Sequence, residues 1–79
     1  MSEELTLRVK VGEEWRSLPE STFLRELAWH RQRGFEGVPR VPVTIEAIDE
    51  QGRVWWRGFY RDLEFAACEL LDNAANSQR

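Results

Sequence analysis

The strongest constraint on this chain is a pair of alternating runs separated by Asp49-Glu50-Gln51-Gly52. Residues 41–48 carry Val43, Ile45 and Ala47 on one face and Thr44, Glu46 and Ile48 on the other. Residues 53–60 read Arg-Val-Trp-Trp-Arg-Gly-Phe-Tyr. A period of two sends successive side chains to opposite faces of a pleated strand. The turn reads as type I with its Gly in the left-handed position of a bulge, which joins the two runs as a β-hairpin. With Ile48 opposite Arg53, the apolar face pairs Ala47 with Val54, Ile45 with Trp56 and Val43 with Gly58. The other face pairs Glu46 with Trp55 and Thr44 with Arg57. A slip of one residue would mix the two faces, so this is the expected register.

Residues 4–11 alternate in the same way, with Leu5, Leu7, Val9 and Val11 opposed to Thr6, Arg8 and Lys10. They predict a half-buried strand, followed by a turn at Gly12-Glu13-Glu14 after which Trp15 folds back on the strand end. Ser17-Leu18-Pro19-Glu20 has the form of a capping box, and Pro19 is tolerated in a first helical turn. The helix it opens should run to about Arg33, with Gly34 as its left-handed stop. Phe23, Leu24, Leu27 and Ala28 share one face of it, and Trp29 lies opposite, one turn from both Arg25 and Arg33. Residues 34–42 form a loop punctuated by Gly37, Pro39 and Pro42. After the hairpin, Asp62 caps a second helix with an apolar stripe at Leu63, Ala66, Ala67, Leu70, Leu71 and Ala74.

The expected architecture is α+β in the order β-α-β-β-α: a three-stranded antiparallel sheet with two helices on one face. The tryptophan-rich strand is expected at the centre, between the first and second strands. The uncovered face then carries Thr6, Arg8, Lys10, Thr44, Glu46, Arg53, Trp55 and Arg57, four cations against one acid.

Seventy-nine residues allow one domain, 1–79, with ends expected to fray at about 1–3 and 75–79. A chain this short buries only about 60% of the surface its unfolded form exposes. The sole cysteine, Cys68, excludes an internal disulfide and fits a reducing, cytoplasmic setting. The first residues lack the basic and apolar character of a secretory signal, and no run reaches the ~18 apolar residues of a membrane span. No membrane partner is expected.

Catalysis is not expected. His30 is the sole histidine and reads as a helix residue at the core edge, while Cys68, between Glu64 and Asp72 on its helix, reads as inert. The acidic pairs Glu3-Glu4, Glu13-Glu14 and Asp49-Glu50 lie at the terminus or in turns without the convergent ligands of a metal site, so neither metal nor cofactor is expected. Gly34-Phe35-Glu36-Gly37 matches the bare G-x-x-G of KH-type RNA-binding loops, but Glu36 within it and the prolines after it break that pattern.

The residues that point to binding are arginines beside tryptophans. Arg53, Trp55 and Arg57, with Arg8 and Lys10, form one predicted surface; Arg25, Trp29 and Arg33 form a second. Arg and Trp dominate protein–protein hot spots, and aromatic residues with arginine also hold single-stranded nucleic acids. The stretch RVWWRGFYRDLEFAACELLDNAA, residues 53–75, is similar to the end of the ethylene-response-factor type DNA-binding domain, which packs a three-stranded sheet on one helix and reads the major groove with the sheet. That resemblance covers under a third of the chain, lacks the family's arginine-rich first strand around Arg40, and does not assign the chain to the family.

A net charge of −3 tilts the balance away from polyanions. The expected function is therefore a small non-enzymatic protein-binding module, an accessory, regulatory or inhibitor protein, by analogy with compact acidic inhibitors encoded by phages. Nucleic-acid binding through the open sheet face is the alternative, and a homodimer joined at an edge strand is a third arrangement.

Overall fold

The computed structural model describes the backbone of residues 5–76 and the side chains of residues 5–73. The Glu3-Glu4 pair, the Ala74 side chain and most of the two ends expected to fray lie outside them.

Six elements follow one another: β1 (Thr6–Val11), β2 (Glu14–Pro19), α1 (Glu20–Gln32), β3 (Val43–Ile48), β4 (Val54–Tyr60) and α2 (Leu63–Asn76). The fold is α+β, but the sheet has four strands, antiparallel throughout, in the order β2-β1-β3-β4. Two expectations are corrected. The chain order is β-β-α-β-β-α, and the tryptophan-rich strand β4 is an edge, with β3 between it and β1.

β2 exists because Gly12 does more than break β1. Val11 pairs with Glu14, so only Gly12 and Glu13 form the loop, and Gly12 has φ 63°. A two-residue hairpin loop needs a positive φ at its first position, which Gly adopts without a Cβ clash. The returning strand carries Ser17 opposite Arg8 and Leu18 opposite Leu7. Ser17 therefore cannot serve as a helix cap, and the expected capping box is absent. Pro19 takes the N-cap position with an extended backbone and no side-chain cap bond. The Glu20 amide donates instead to the Leu5 carbonyl at 3.0 Å, so β2 passes directly into α1.

α1 stops as its Gly34 implies. The Gly34 amide donates to Arg31 and the Phe35 amide to His30, the paired bonds of a Schellman motif with Gly34 left-handed. Phe35 also has a positive φ, 58°, unfavourable for a bulky residue. Burial of its ring in the core, with His30 stacked on it, compensates. At the other helix, the Asp62 carboxylate accepts from the Phe65 amide at 3.1 Å, the expected cap.

The core is one cluster under one face of the sheet. Leu7 and Val9 of β1, Leu18 of β2, and Val43, Ile45 and Ala47 of β3 meet Phe23 and Leu27 of α1 and Leu63, Ala66 and Ala67 of α2. Each large apolar side chain buried this way contributes about 1.5–3 kcal/mol of transfer free energy. The expected apolar faces of β1, β3 and both helices are the ones buried. Arg16 donates two bonds to the Glu26 carboxylate, both 3.1 Å, and ties edge strand β2 to α1.

The hairpin register departs from expectation in an instructive way. Asp49, not Ile48, faces Arg53: the Asp49 amide donates to the Arg53 carbonyl and the Gly52 amide to the Asp49 carbonyl, both at 3.0 Å. Gly52 has the expected left-handed φ, 82°. The ladder thus starts one residue away from the expected pairing, with Ile48 opposite Val54. A bulge between Ala47 and Ile48 then adds a second residue of offset. Beyond it the pairs are Ala47–Trp56, Glu46–Arg57, Ile45–Gly58, Thr44–Phe59 and Val43–Tyr60. Beyond the bulge an offset of two keeps the side chains on their expected faces while changing their neighbours, whereas Val54, now opposite Ile48, changes face.

Candidate binding surface

The sheet face away from the helices has no covering element among the described residues. Alternation from the paired registers places Trp15 and Ser17 of β2, Thr6, Arg8 and Lys10 of β1, Thr44, Glu46 and Ile48 of β3, and Val54, Arg57 and Phe59 of β4 on that face. Four strands spaced ~4.8 Å apart make a plate about 14 Å across from edge to edge.

Glu46 organises its centre. It lies on β3 between Arg8 of β1 and Arg57 of β4, the cross-strand partners on either side. Arg57 Nε donates to Oε2 at 2.8 Å, Arg57 Nη2 approaches the same oxygen at 2.7 Å, and Arg8 Nη1 lies 3.6 Å from Oε1. Glu46 is 7% exposed, buried by the two guanidinium groups that neutralise it. Without those partners a carboxylate at that depth would carry an uncompensated desolvation cost. The bonds point the arginines inward along the sheet and set their alkyl stems as part of the floor.

Aromatic rings stand at both sides. At the β2 edge, the Arg8 guanidinium lies 4.8 Å and the Lys10 ammonium 5.9 Å from the Trp15 ring centroid, two cation–π contacts on one indole. At the β4 edge, Phe59 is 73% exposed and Trp55 68%. Trp55 is the extra residue of the bulge, and its indole N–H donates to Asp49 Oδ2 at 3.1 Å.

The turn holds that end rigidly. Asp49 accepts from the Gln51 and Arg53 amides and from Arg53 Nε, all at 2.9 Å, as well as from Trp55. The Arg53 amide bond, ahead of the Arg53 side chain, the Gln51 amide and the Trp55 indole, keeps the Asp49 carboxyl below its ordinary value against a smaller opposing effect of desolvation. Arg53 is consequently committed to the turn, bonded also to Gln51, and the plate's cations are Arg8, Lys10 and Arg57.

Trp56 was expected in the core. It lies on the helix side of β4 but is 39% exposed, because an edge strand has no outer neighbour to close over it. Below it, Tyr60 lies across Gly58: a Cβ built on Gly58 would sit 2.6 Å from the Tyr60 hydroxyl and 2.9 Å from its ring. Burial, aided by a hydrogen bond to Glu69 and by that carboxylate's charge, pushes the Tyr60 phenol up from 10.0 to about 12. Trp56, Gly58, Tyr60 and Glu69 line a shallow open hollow along this strand.

The second predicted surface is separate. Trp29 is 52% exposed on α1, with the Arg33 guanidinium 4.4 Å from its ring centroid and the His30 ring edge-on to it. Arg25 is exposed one turn earlier. These three residues lie on the helix layer, so the fold does not bring them to Arg8, Lys10, Trp55 and Arg57. Two acids of α2 have partners: Glu64 bonds Arg40, which also pairs with Asp62 at 3.6 Å, and Glu69 bonds Tyr60.

The pairing expectation missed Trp15 and Phe59 on the open face. Trp15 was hidden because β2 was read as turn and cap; Phe59 because the expected register ended at Gly58. Among the described residues no cluster of three metal-ligating side chains occurs, and no helix is long and apolar enough to cross a membrane. No family model, curated protein or solved structure matches this chain, the DNA-binding family that residues 53–75 resemble included.

Proposed function

We propose that this chain is a non-enzymatic protein-binding module, accessory, regulatory or inhibitory, whose binding surface is the uncovered face of the sheet. The observation that carries the reading is the juxtaposition of exposed Trp15 and Phe59 around Arg8 and Arg57, which share the single carboxylate of Glu46, with exposed Trp55 beside them at the bulge. Rings presented from a rigid sheet lose little conformational freedom on binding, and Trp and Arg supply most of the energy at protein interfaces. Pre-paired arginines favour a protein partner over a polyanion, since Glu46 repels the phosphates that Arg8 and Arg57 would attract. The overall charge of −3 acts in the same direction.

The test is affinity capture with the wild-type chain and with Trp15→Ala and Arg57→Ala, followed by titration of each recovered protein. Loss of ~2 kcal/mol at either position, about thirtyfold in Kd, is expected of a hot spot. Unchanged affinity in both variants would reject the open face as the binding surface. Trp29→Ala reports separately on the helical patch.

Nucleic-acid binding is favoured by one specific observation, the two cations flanking the Trp15 ring. Labelled single-stranded DNA and RNA, titrated at two salt concentrations, decide it. Three phosphate contacts, from Arg8, Lys10 and Arg57, give a logarithmic salt slope of about −2 on a single strand. Absence of salt-sensitive binding removes this reading.

A further inference from the structure

We propose that the outer edge of β4 pairs with the β4 edge of a second copy of this chain, antiparallel and two-fold symmetric about Gly58. The two edges of the sheet are prepared differently. β2 carries Glu14, Arg16 and Pro19, and charges and proline are what keep an exposed edge from pairing. β4 between its bulge and its end carries Trp56, Arg57, Gly58, Phe59 and Tyr60, and among the described residues its only sheet neighbour is β3. Its outward amides and carbonyls are a template for another strand.

The residue order of β4 is self-complementary in one register. An isologous antiparallel pair about a two-fold axis perpendicular to the sheet sets equal numbers of residues on either side of the axis opposite each other, on the same face. Centred on Gly58, Trp56 meets Tyr60 of the copy, Arg57 meets Phe59, and the glycines meet at the axis; each mixed pair occurs twice. Trp56 and Tyr60 form an aromatic cross-strand pair on the helix side, where the hollow along β4 leaves room for the incoming indole. Arg57 and Phe59 become cross-strand neighbours on the open face, where the ring of the copy covers the Arg57 stem while the guanidinium stays on Glu46. Centring on Arg57 would oppose Arg57 to itself, and centring on Phe59 would oppose Arg57 to Arg61; like charges directly opposite are destabilising. The Gly58 register alone among these covers the exposed Phe59 and the half-exposed Trp56 without such a clash. The product is an eight-stranded sheet with all four helices on one side and the two open faces joined.

Sedimentation of the full chain from micromolar to millimolar concentration is expected to show the mass rising toward the dimer. A monomer mass across the whole range overturns the proposal. The register is tested by charge at Phe59, whose exposure lets either substitution fold, as far-ultraviolet circular dichroism checks. Phe59→Lys sets two lysines against two arginines and is expected to weaken association about tenfold. Phe59→Glu sets two carboxylates against the same arginines and is expected to retain the dimer. Equal weakening by both overturns the Gly58 register. The dimer shares Arg57 and Phe59 with the partner-binding surface but not its opposite edge: Trp15→Ala is expected to weaken partner binding and leave the dimer unchanged, so failure of either reading is seen without the other.

Discussion

β2 and β4 close the same sheet on opposite sides, yet they hold to it by different means. β2 is fastened through one buried apolar residue, Leu18, and through the two bonds from Arg16 to Glu26 on α1. Its remaining side chains are exposed. β4 has none of its residues fully buried: Trp55 and Phe59 stand mostly in solvent, Trp56 and Tyr60 are partly covered, and the strand is fixed by the ladder to β3, the Asp49 turn, the Glu46 ion pair and Tyr60 over Gly58. One edge is anchored into the core, the other by polar bonds and by its own side chains. Apolar surface that a single copy leaves uncovered is therefore concentrated on β4, where it is available to a partner.

Breaking that contrast starts at Leu18. Leu18→Ala should cost about 2–4 kcal/mol in denaturant unfolding, the range for a buried leucine. Trp56→Ala should cost less than half of that despite the larger side chain, and equal costs would erase the distinction between the edges.

Gly58→Ala comes next, at about 1 kcal/mol, because the new methyl must move the Tyr60 ring. Its sharper readout is the sole tyrosine's titration, followed by phenolate absorbance. In the native chain Tyr60 holds its proton until about pH 12, above the ordinary 10.0. The unfolded chain releases that proton first, so the associated stability is complete below pH 10.0 and is lost as pH rises toward 12. In the Gly58→Ala chain the ring is displaced, and the titration should fall back toward its ordinary position.

A smaller effect is expected at the turn. Asp49→Asn removes the carboxylate that Arg53 and Trp55 share. The folded carboxyl titrates below 3.8, so the wild-type advantage is present above that pH and is lost as pH falls through the folded value. A difference between the two chains that persists unchanged into stronger acid would contradict the assigned bonds. Least of all, Phe59→Ser should leave monomer stability within about 0.5 kcal/mol, as for a surface site, while removing apolar area from the partner-facing edge. A larger loss would mean that Phe59 belongs to the fold.

Elements with apolar residues repeated at the strand or helix period were legible in the sequence, namely β1, β3, β4 and both helices, as were the Gly34 stop and the Asp62 cap. β2 was not, because Leu18 is its only core residue and a single apolar position has no period. The signal that marks it is Gly12-Glu13, a two-residue loop of hairpin type, rather than any pattern in the strand. The sheet order was misread for a related reason. Three aromatics in residues 55–59 resemble a central strand by hydrophobicity, but Arg53, Arg57 and Arg61 around them are edge residues. The aliphatic run Val43-Ile45-Ala47 is what a strand with neighbours on both sides carries. The hairpin offset arose from Asp49, whose carboxylate binds the Arg53 amide and draws Asp49 itself into the pairing. Of the candidate surface, alternation alone places Arg8, Lys10 and Arg57; Trp55, expected opposite Glu46, is instead the extra residue of the bulge. Trp15 and Phe59 required the missing strand and the true register.

Glu46 gives the open face a built-in competitor. An anionic group arriving from solution can take Arg8 and Arg57 only by displacing a carboxylate that the fold holds at a high effective concentration, whatever the ligand's own concentration. Charge alone is thus discounted at this surface. A ligand that also covers the Trp15 or Phe59 ring gains contacts that Glu46 does not contest, so the face selects for shape and aromatic coverage over charge.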